Sequence, residues 1–432
     1  MHLSPQSSYP PSYYAATANP LIKTQPLHSG LSVETCIIGG GYAGLMTALG
    51  LIERGHTDIA IVEQHQVGWG ASGRNGGFVF GGYSLGPRAL IKQVGQEAAK
   101  SLYQLTTSAV DLIRKRVADY QIECDLVDQG VIWANWFKDQ SLLQRERELM
   151  QKHMGVRWQY LSPAELAHLI HSEQYHGGLL EPNAMHFHPL NYALGIAAEI
   201  VARGGKIFQN CQVSKLDYLQ PLKKVVTDSG NIECKNLVIA GGGYLGNACP
   251  KVARSVLPIA TYVMTTEPLG ERLKDFINTP AAIYDTRFAF DYYRPLNDSR
   301  ILWGGRISAN TKTPQNLRSQ LRADLSRVFP ALSDIGIDYV WDGWMSYSRH
   351  QMAQIGSLAP GVWYGSGFGG HGVGPTTAAG EILAAAIASN DQTWRRFEPW
   401  GLPWNGGIFG PMAAQASYWW YQAQDWLKEK LG

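Results

Sequence analysis

One short stretch constrains the chain more than any other. Val33–Ile38 reads as a short β-branched strand, and GGGYAG follows at once, with Gly39, Gly41 and Gly44 in GxGxxG spacing. Residues 45–54 then carry helical periodicity, with Leu45, Leu49 and Ile52 on one face, and Gly55 ends the helix. A second strand, 58–62, ends in Glu63, nineteen residues after Gly44. Each part has a mechanical reason. Gly39 permits a tight turn, Gly41 lets the backbone approach a pyrophosphate, and Gly44 lets helix and strand pack closely. Tyr42 and Ala43 open the helix, whose N–H groups and partial positive charge face the phosphates. Glu63, followed by Gln64, is placed to accept hydrogen bonds from a ribose diol. Strand, glycines, helix, strand and acid in this order specify a Rossmann-like dinucleotide domain.

The next segment selects the dinucleotide. Residues 67–77 read VGWGASGRNGG. A nicotinamide cofactor has no need of a second glycine-rich, arginine-containing loop here, whereas FAD must lay a ribityl chain and a flavin ring along the protein. Gly70, Ala71, Ser72, Arg74, Asn75, Gly76 and Gly77 offer small side chains, donors and a cation for that path. Residues 238–243 (VIAGGG, with Gly241) form a strand running into glycines. Near the C-terminus, a strand at 362–364 leads into GSGFGGHGVG and a helix at 375–388. Gly369, Gly370, His371, Gly372, Val373 and Gly374 then aim a further helix N-terminus at the flavin end of the ligand.

Other classes are excluded by composition. A balance of 37 basic against 35 acidic residues gives a net charge of +2, too even for a nucleic-acid binder. No apolar run approaches the ~18 residues a membrane span needs. Five irregularly spaced cysteines make neither a disulfide framework nor a zinc site and fit a reducing compartment, and with no signal-type N-terminus the reading is cytoplasmic. Residues 1–30 are rich in Pro, Ser and Tyr and read as an extended arm lying against the body through Tyr9, Tyr13 and Tyr14. His186 and His188 flank Phe187, but two histidines alone do not hold a metal, so no metal site is expected.

The motifs SYYAATAN (12–19), VGWGASGRNGG, MHFHPLN (185–191), ILWGG (301–305) and GFGGHGVG (367–374) resemble the D-amino-acid-oxidase superfamily of FAD-dependent oxidoreductases, with its glycine and sarcosine oxidases. Within it the likeness is strongest to the γ-glutamylputrescine oxidases, and it spreads over residues 12–390. That resemblance implies an α/β protein in which a Rossmann-like FAD domain interleaves with an α+β substrate domain built on an antiparallel sheet. The FAD segments would be 31–110, 185–255 and 340–390, with Val213 near the adenine. The substrate segments would be 111–184 and 256–339, followed by a tail at 391–432. The implied activity is oxidation of a C–H bond beside nitrogen in an amine or amino acid. The hydride passes to flavin N5, the imine is hydrolysed, and oxygen reoxidises the flavin to give hydrogen peroxide. The alternative within the superfamily is an L-amino-acid oxidase or deaminase attached to a membrane and passing electrons to a quinone.

Substrate-handling candidates follow from both readings. His371 sits between glycines at a helix start. Tyr292 and Arg294, in the cluster Phe288, Asp291, Tyr292, Tyr293 and Arg294, are placed on a strand expected to face the flavin, where an arginine holds a carboxylate. Residues 344–356 (WMSYSRHQMAQIG), with Tyr347 and Arg349, depart from the γ-glutamylputrescine oxidase pattern; Arg349 there favours an amino-acid substrate, with a salt-bridged arginine outside the pocket as the alternative. The stretch has no cysteine, whereas sarcosine oxidases attach FAD through one in this region, so the flavin is expected to be non-covalent. In the tail, Met412, Ala416, Trp419, Ala423, Trp426 and Leu427 recur at helical spacing. This stripe is read as docking on the core or at a homodimer interface, with shallow membrane attachment as the alternative.

Overall fold

The computed structural model describes residues 9–28, 30–310 and 312–431. Two eight-stranded sheets organise it. In the first, strands run in the order 354–359, 362–366, 231–239, 31–38, 59–62 and 206–208; a hairpin arm of 213–217 and 223–227 extends from 231–239. The five strands from 362–366 to 206–208 are parallel. Leu31–Ile38 lies at the centre, with Ile37 between Ile61 and Val238. Helices cover both faces of a parallel sheet, so Cys36 and Ile37 are fully buried. The helix Tyr42–Glu53 crosses Val373–Ser389 through small residues: Gly380 lies against Met46, and Ala384 against Gly50. Arg116, buried on the helix Gln96–Asp119, ties the three helices together by binding Glu53 (2.9 Å from Nε) and Glu381.

The second sheet is mostly antiparallel, in the order 337–348, 256–266, 301–308, 292–295, 282–285, 131–134, 178–181 and 159–161. Its core stacks Tyr293 on Trp303 at 4.7 Å between ring centres and packs Leu317, Leu321 and Leu325 beneath them. The strands of the first sheet lie within 31–110, 185–255 and 340–390, and those of the second within 111–184 and 256–339 except for Ile337–Ser348. Two expected boundaries move. Ile337–Ser348 pairs along its length with Val256–Thr266, so the second sheet continues past residue 339 to Ser348. The expected break at 110 falls inside the continuous helix Gln96–Asp119.

The N-terminal arm does lie on the body: Tyr14 is inaccessible, and the Tyr9 hydroxyl donates to the Val67 carbonyl at 2.6 Å. It is not wholly extended, because the Ser12 side chain accepts the Ala15 N–H (3.1 Å) and starts a helical turn at Tyr13–Ala16. Residues 1–8 and 29 of the expected arm lie outside the described residues.

The C-terminal helix Gly410–Leu431 forms where periodicity placed it, but it docks by the opposite face. Met412 (69 % exposed), Trp419 (63 %) and Trp426 (58 %) point outward. Tyr418 and Asp425 are buried instead: Asp425 accepts the Ala289 N–H at 3.1 Å, and Gln415 accepts the Ala309 N–H at 3.1 Å. Polar side chains that satisfy loop amides decide the orientation here over the apolar stripe. Among the described residues no helix is long and apolar enough to cross a membrane.

Candidate functional site

A continuous cavity of about 1340 Å³ runs from the carboxyl ends of the parallel strands, beside Ile38, Val62 and Ala240, to the face of the antiparallel sheet. That is larger than the ~300–1,000 Å³ of an ordinary small-ligand cleft, and it leaves room for an extended dinucleotide and a substrate together.

At one end Gly39, Gly41, Tyr42, Ala43, Glu63, Gln64, Val213 and Gly241 line the wall. Gly39 has φ +109°, and a Cβ there would sit 2.7 Å from the Ala240 carbonyl oxygen. No side chain caps the helix at its Gly41 N-cap, although the Tyr42 N–H reaches the Ser72 hydroxyl at 2.9 Å. Glu63 accepts the Gly40 N–H (2.7 Å) and the His65 N–H (2.8 Å), and burial raises its pKa. A carboxylate has about four acceptor positions, so capacity for ribose hydroxyls remains. Gly44 is not part of the lining. It lies against the Gly39 carbonyl, the packing role its position implies.

Gly70, Ala71, Ser72, Asn75 and Gly76 line the middle. Asn75 shapes this loop by donating to Ala71 O (3.1 Å) and Ser72 O (2.9 Å) and accepting the Gly77 N–H (2.8 Å). Arg74 and Gly77 face away from the cavity. Arg74 donates to Trp69 O at 2.7 Å, stacks 4.1 Å over the Trp69 ring and pairs with Asp342 at 3.8 Å; it holds the loop from behind. Gly77, at φ +82°, leaves room for the Phe187 carbonyl and Arg294.

The far end is built by Gly369, Gly370, His371, Gly372, Val373 and Gly374, where the helix Val373–Ser389 starts with no side-chain cap. His371 Nε2 lies 3.3 Å from Phe80 O, its ring meets Phe80 edge-on at 4.1 Å, and burial lowers its pKa to about 4, so it is neutral.

Tyr292, Tyr347 and Arg349 line the cavity's other side. Tyr292 packs on Gly76 and Gly304. Tyr347 braces the Gly369–Gly370 turn. Arg349 is exposed at the mouth and has no hydrogen bond or ion pair among the described residues. Arg294 corrects the expectation placed on it. It is buried behind the cavity and donates to Gly76 O (2.8 Å), Phe187 O (2.9 Å) and Tyr14 Oη (3.2 Å), with His186 Nδ1 3.2 Å away. The strand expected from Phe288 is only Tyr292–Pro295, because Asp291 turns inward to pair with Arg287 at 2.6 Å. His186 and His188 also serve the fold. His188 Nδ1 accepts the Asn191 N–H at 3.1 Å as a helix cap, and burial, with Arg294, lowers both pKa values to about 3. No group of ligating side chains that could hold a metal ion occurs among the described residues. The sequence reading missed Phe80, Trp133, Glu146, Trp158, Glu181 and Tyr284, all in the wall. No motif or spacing distinguishes them.

Comparison with known proteins settles the class. The model of the DAO family, FAD-dependent oxidoreductases, matches residues 34–386. The chain belongs to this FAD-dependent oxidoreductase family. It is 32% identical over 388 residues to the γ-glutamylputrescine oxidoreductase of Escherichia coli strain K12, covering 89% of this chain and 91% of that one. It is 30% identical to a probable oxidoreductase, OrdL, of Haemophilus influenzae, covering 96% and 97%. In fold it is similar to glycine oxidase from Geobacillus kaustophilus (TM-score 0.73, 18% identity, 86% and 99% coverage). It is equally similar to L-amino acid deaminase from Proteus vulgaris (TM-score 0.73, 16% identity, 89% and 99% coverage).

FAD is the cofactor of this oxidoreductase family, and the residues present fit it: two helix N-termini with glycine at the cap position, a glycine cradle that a Cβ would fill, and a half-buried carboxylate with acceptor capacity to spare. The five cysteines are free and buried, and among them only Cys211 lines the cavity, beside Val213 at the Glu63 end. Acid precipitation of the yellow protein should therefore leave the flavin in the supernatant. Flavin carried into the pellet would show a covalent link.

Proposed function

We propose that this oxidoreductase oxidises the C–H bond beside the nitrogen of a primary alkyl amine, of the kind named for its E. coli relative, rather than of an α-amino acid. The observation that carries this reading is the state of the arginines around the cavity. An amino-acid carboxylate calls for a free guanidinium beside the flavin. Arg294 spends its donors on Gly76, Phe187 and Tyr14, Arg287 on Asp285 and Asp291, and Arg306 on Asp324. Among the described residues the one uncommitted guanidinium near the cavity, Arg349, is in solvent at its mouth.

Bound FAD would supply the acceptor for the hydride and its electron pair, with oxygen and a proton then giving hydrogen peroxide, and water would convert the iminium product to aldehyde and ammonium. The chain's own contribution is placement. Phe80, Tyr284 and Tyr292 offer flat apolar faces for an alkyl chain. A neutral His371 adds no charge that would oppose removal of a hydride from an amine. The second reading, L-amino-acid oxidation, would use Arg349.

One assay separates the two: peroxide formation from γ-glutamylputrescine and from L- and D-amino acids, with the native protein and with Arg349→Ala. The amine should be the substrate, and Arg349→Ala should leave its kcat/KM within about twofold, since exposed unpartnered side chains carry little. Turnover of amino acids, lost more than about tenfold in Arg349→Ala, would replace this proposal with the second reading.

A further inference from the structure

Beyond Phe80 the cavity wall carries two acids among aromatic rings. Glu181 closes the strand Gly178–Glu181, and Glu146 projects from the helix Ser141–Leu149; both face the cavity. Around them stand Trp133, Trp158 and Tyr284. The rings form an unbroken row from the His371 end. Phe80 stacks on Tyr284 at 5.7 Å and 2°, Tyr284 on Trp133 at 6.3 Å, and Trp158 meets Trp133 edge-on at 6.4 Å.

The carboxylates here are under-compensated. Glu181 has no ion pair among the described residues, and the Gly81 N–H is its backbone partner. The cation nearest Glu146 is Arg88, 3.6 Å away and itself 59 % exposed. The remaining titratable neighbours are the neutral phenols Tyr103 and Tyr284. We propose that this acid–aromatic compartment binds a second, positively charged nitrogen of the substrate, distal to the nitrogen that is oxidised, so that the enzyme selects diamine-type substrates over simple monoamines.

The proposal rests on the amine reading above, and the chemistry assigns the two ends. The reacting nitrogen must be neutral to release a hydride from its neighbouring carbon, so it gains nothing from carboxylates. The distal nitrogen stays charged and gains from both a carboxylate and ring faces. Burial, opposed by the Gly81 N–H, pushes the Glu181 pKa up to about 8, and a bound ammonium would favour its ionised form.

The test uses the FAD-loaded enzyme without oxygen, with 1,4-diaminobutane and 1-aminobutane as probes, in the native protein and in Glu181→Gln. Dissociation constants come from the dependence of the flavin reduction rate on amine concentration. The diamine should bind at least tenfold more tightly than the monoamine. Glu181→Gln should weaken the diamine about tenfold, leave the monoamine within about twofold, and retain full flavin content. Glu146→Gln should act the same way with a smaller change. A parallel titration with 1,4-bis(trimethylammonio)butane, followed by the shift of the flavin spectrum, reads the compartment without turnover and should be lost in Glu181→Gln. Equal binding of diamine and monoamine, or a dication titration unchanged by Glu181→Gln, would overturn the proposal. If neither amine reduces the flavin, the amine reading falls, whatever the titration shows.

Discussion

Gly44→Val should purify colourless, with less than about a tenth of the native flavin content. A Cβ at Gly44 would collide with the Gly39 carbonyl and lie 3.2 Å from Ile37 Cγ2, with no flexible side chain to give way. The helix Tyr42–Glu53 must therefore move off the central strand, and its first-turn amides, which face the cavity beside Gly41, move with it. Overpacking of this kind costs about 1–3 kcal/mol, and the displacement is concentrated where the pyrophosphate has to be met. Gly55 provides the control. Its φ is +86°, but a Cβ there meets nothing within 4 Å. Gly55→Ala should lower stability by about 1 kcal/mol through backbone strain and keep its flavin. The ratio of flavin to protein absorbance, read beside a melting curve, checks both. A fully yellow Gly44→Val protein would contradict the glycine's assigned packing role.

The second large effect belongs to Arg294. Arg294→Met should unfold several degrees lower than the native protein, a loss of about 3 kcal/mol or more, because it orphans several buried groups at once. The Gly76 and Phe187 carbonyls lose their donor, and the Tyr14 hydroxyl loses its link to the body. The N-terminal arm should then become accessible to protease, as a release of Tyr14 predicts. A substrate-binding arginine would behave differently, raising KM tenfold or more with stability unchanged. Melting temperature, arm cleavage and KM, measured on one preparation, distinguish the two roles. Unchanged stability with a raised KM would return Arg294 to the substrate.

The contrast between these residues shows what a chain of letters can convey. Gly39, Gly41 and Gly44, the 70–76 loop and the 369–374 turn converge on one cavity. They were legible because close backbone approach and helix N-termini demand glycine at fixed offsets, and that demand is local. Arg294 was not. It shares a strand with Tyr292, yet Tyr292 faces the cavity while Arg294 is drawn behind it by the carbonyls of Gly76 and Phe187, which are more than a hundred residues away in sequence. Periodicity placed the C-terminal helix and grouped its tryptophans on one face, but a period says which side chains share a face, not which face docks. Asp425 and Gln415 settled that by capturing loop amides. Likewise, the second sheet runs on to Ser348 because the strand 256–266 is long enough to pair with all of it, a fact held in the partner. Glu181 is one acid at the end of GLLE, and its meaning arises only when Trp133, Trp158 and Tyr284 close around it.

The central claim, that this cavity brings an alkyl amine to a bound flavin, is tested most directly by bleaching in the absence of oxygen. Purified yellow protein is mixed with γ-glutamylputrescine, putrescine, sarcosine, glycine, and L- and D-amino acids, while the flavin absorbance is followed. The account predicts loss of the yellow band with the alkyl amines and none with the amino acids. Bleaching by amino acids of one hand, with the amines inert, would contradict it.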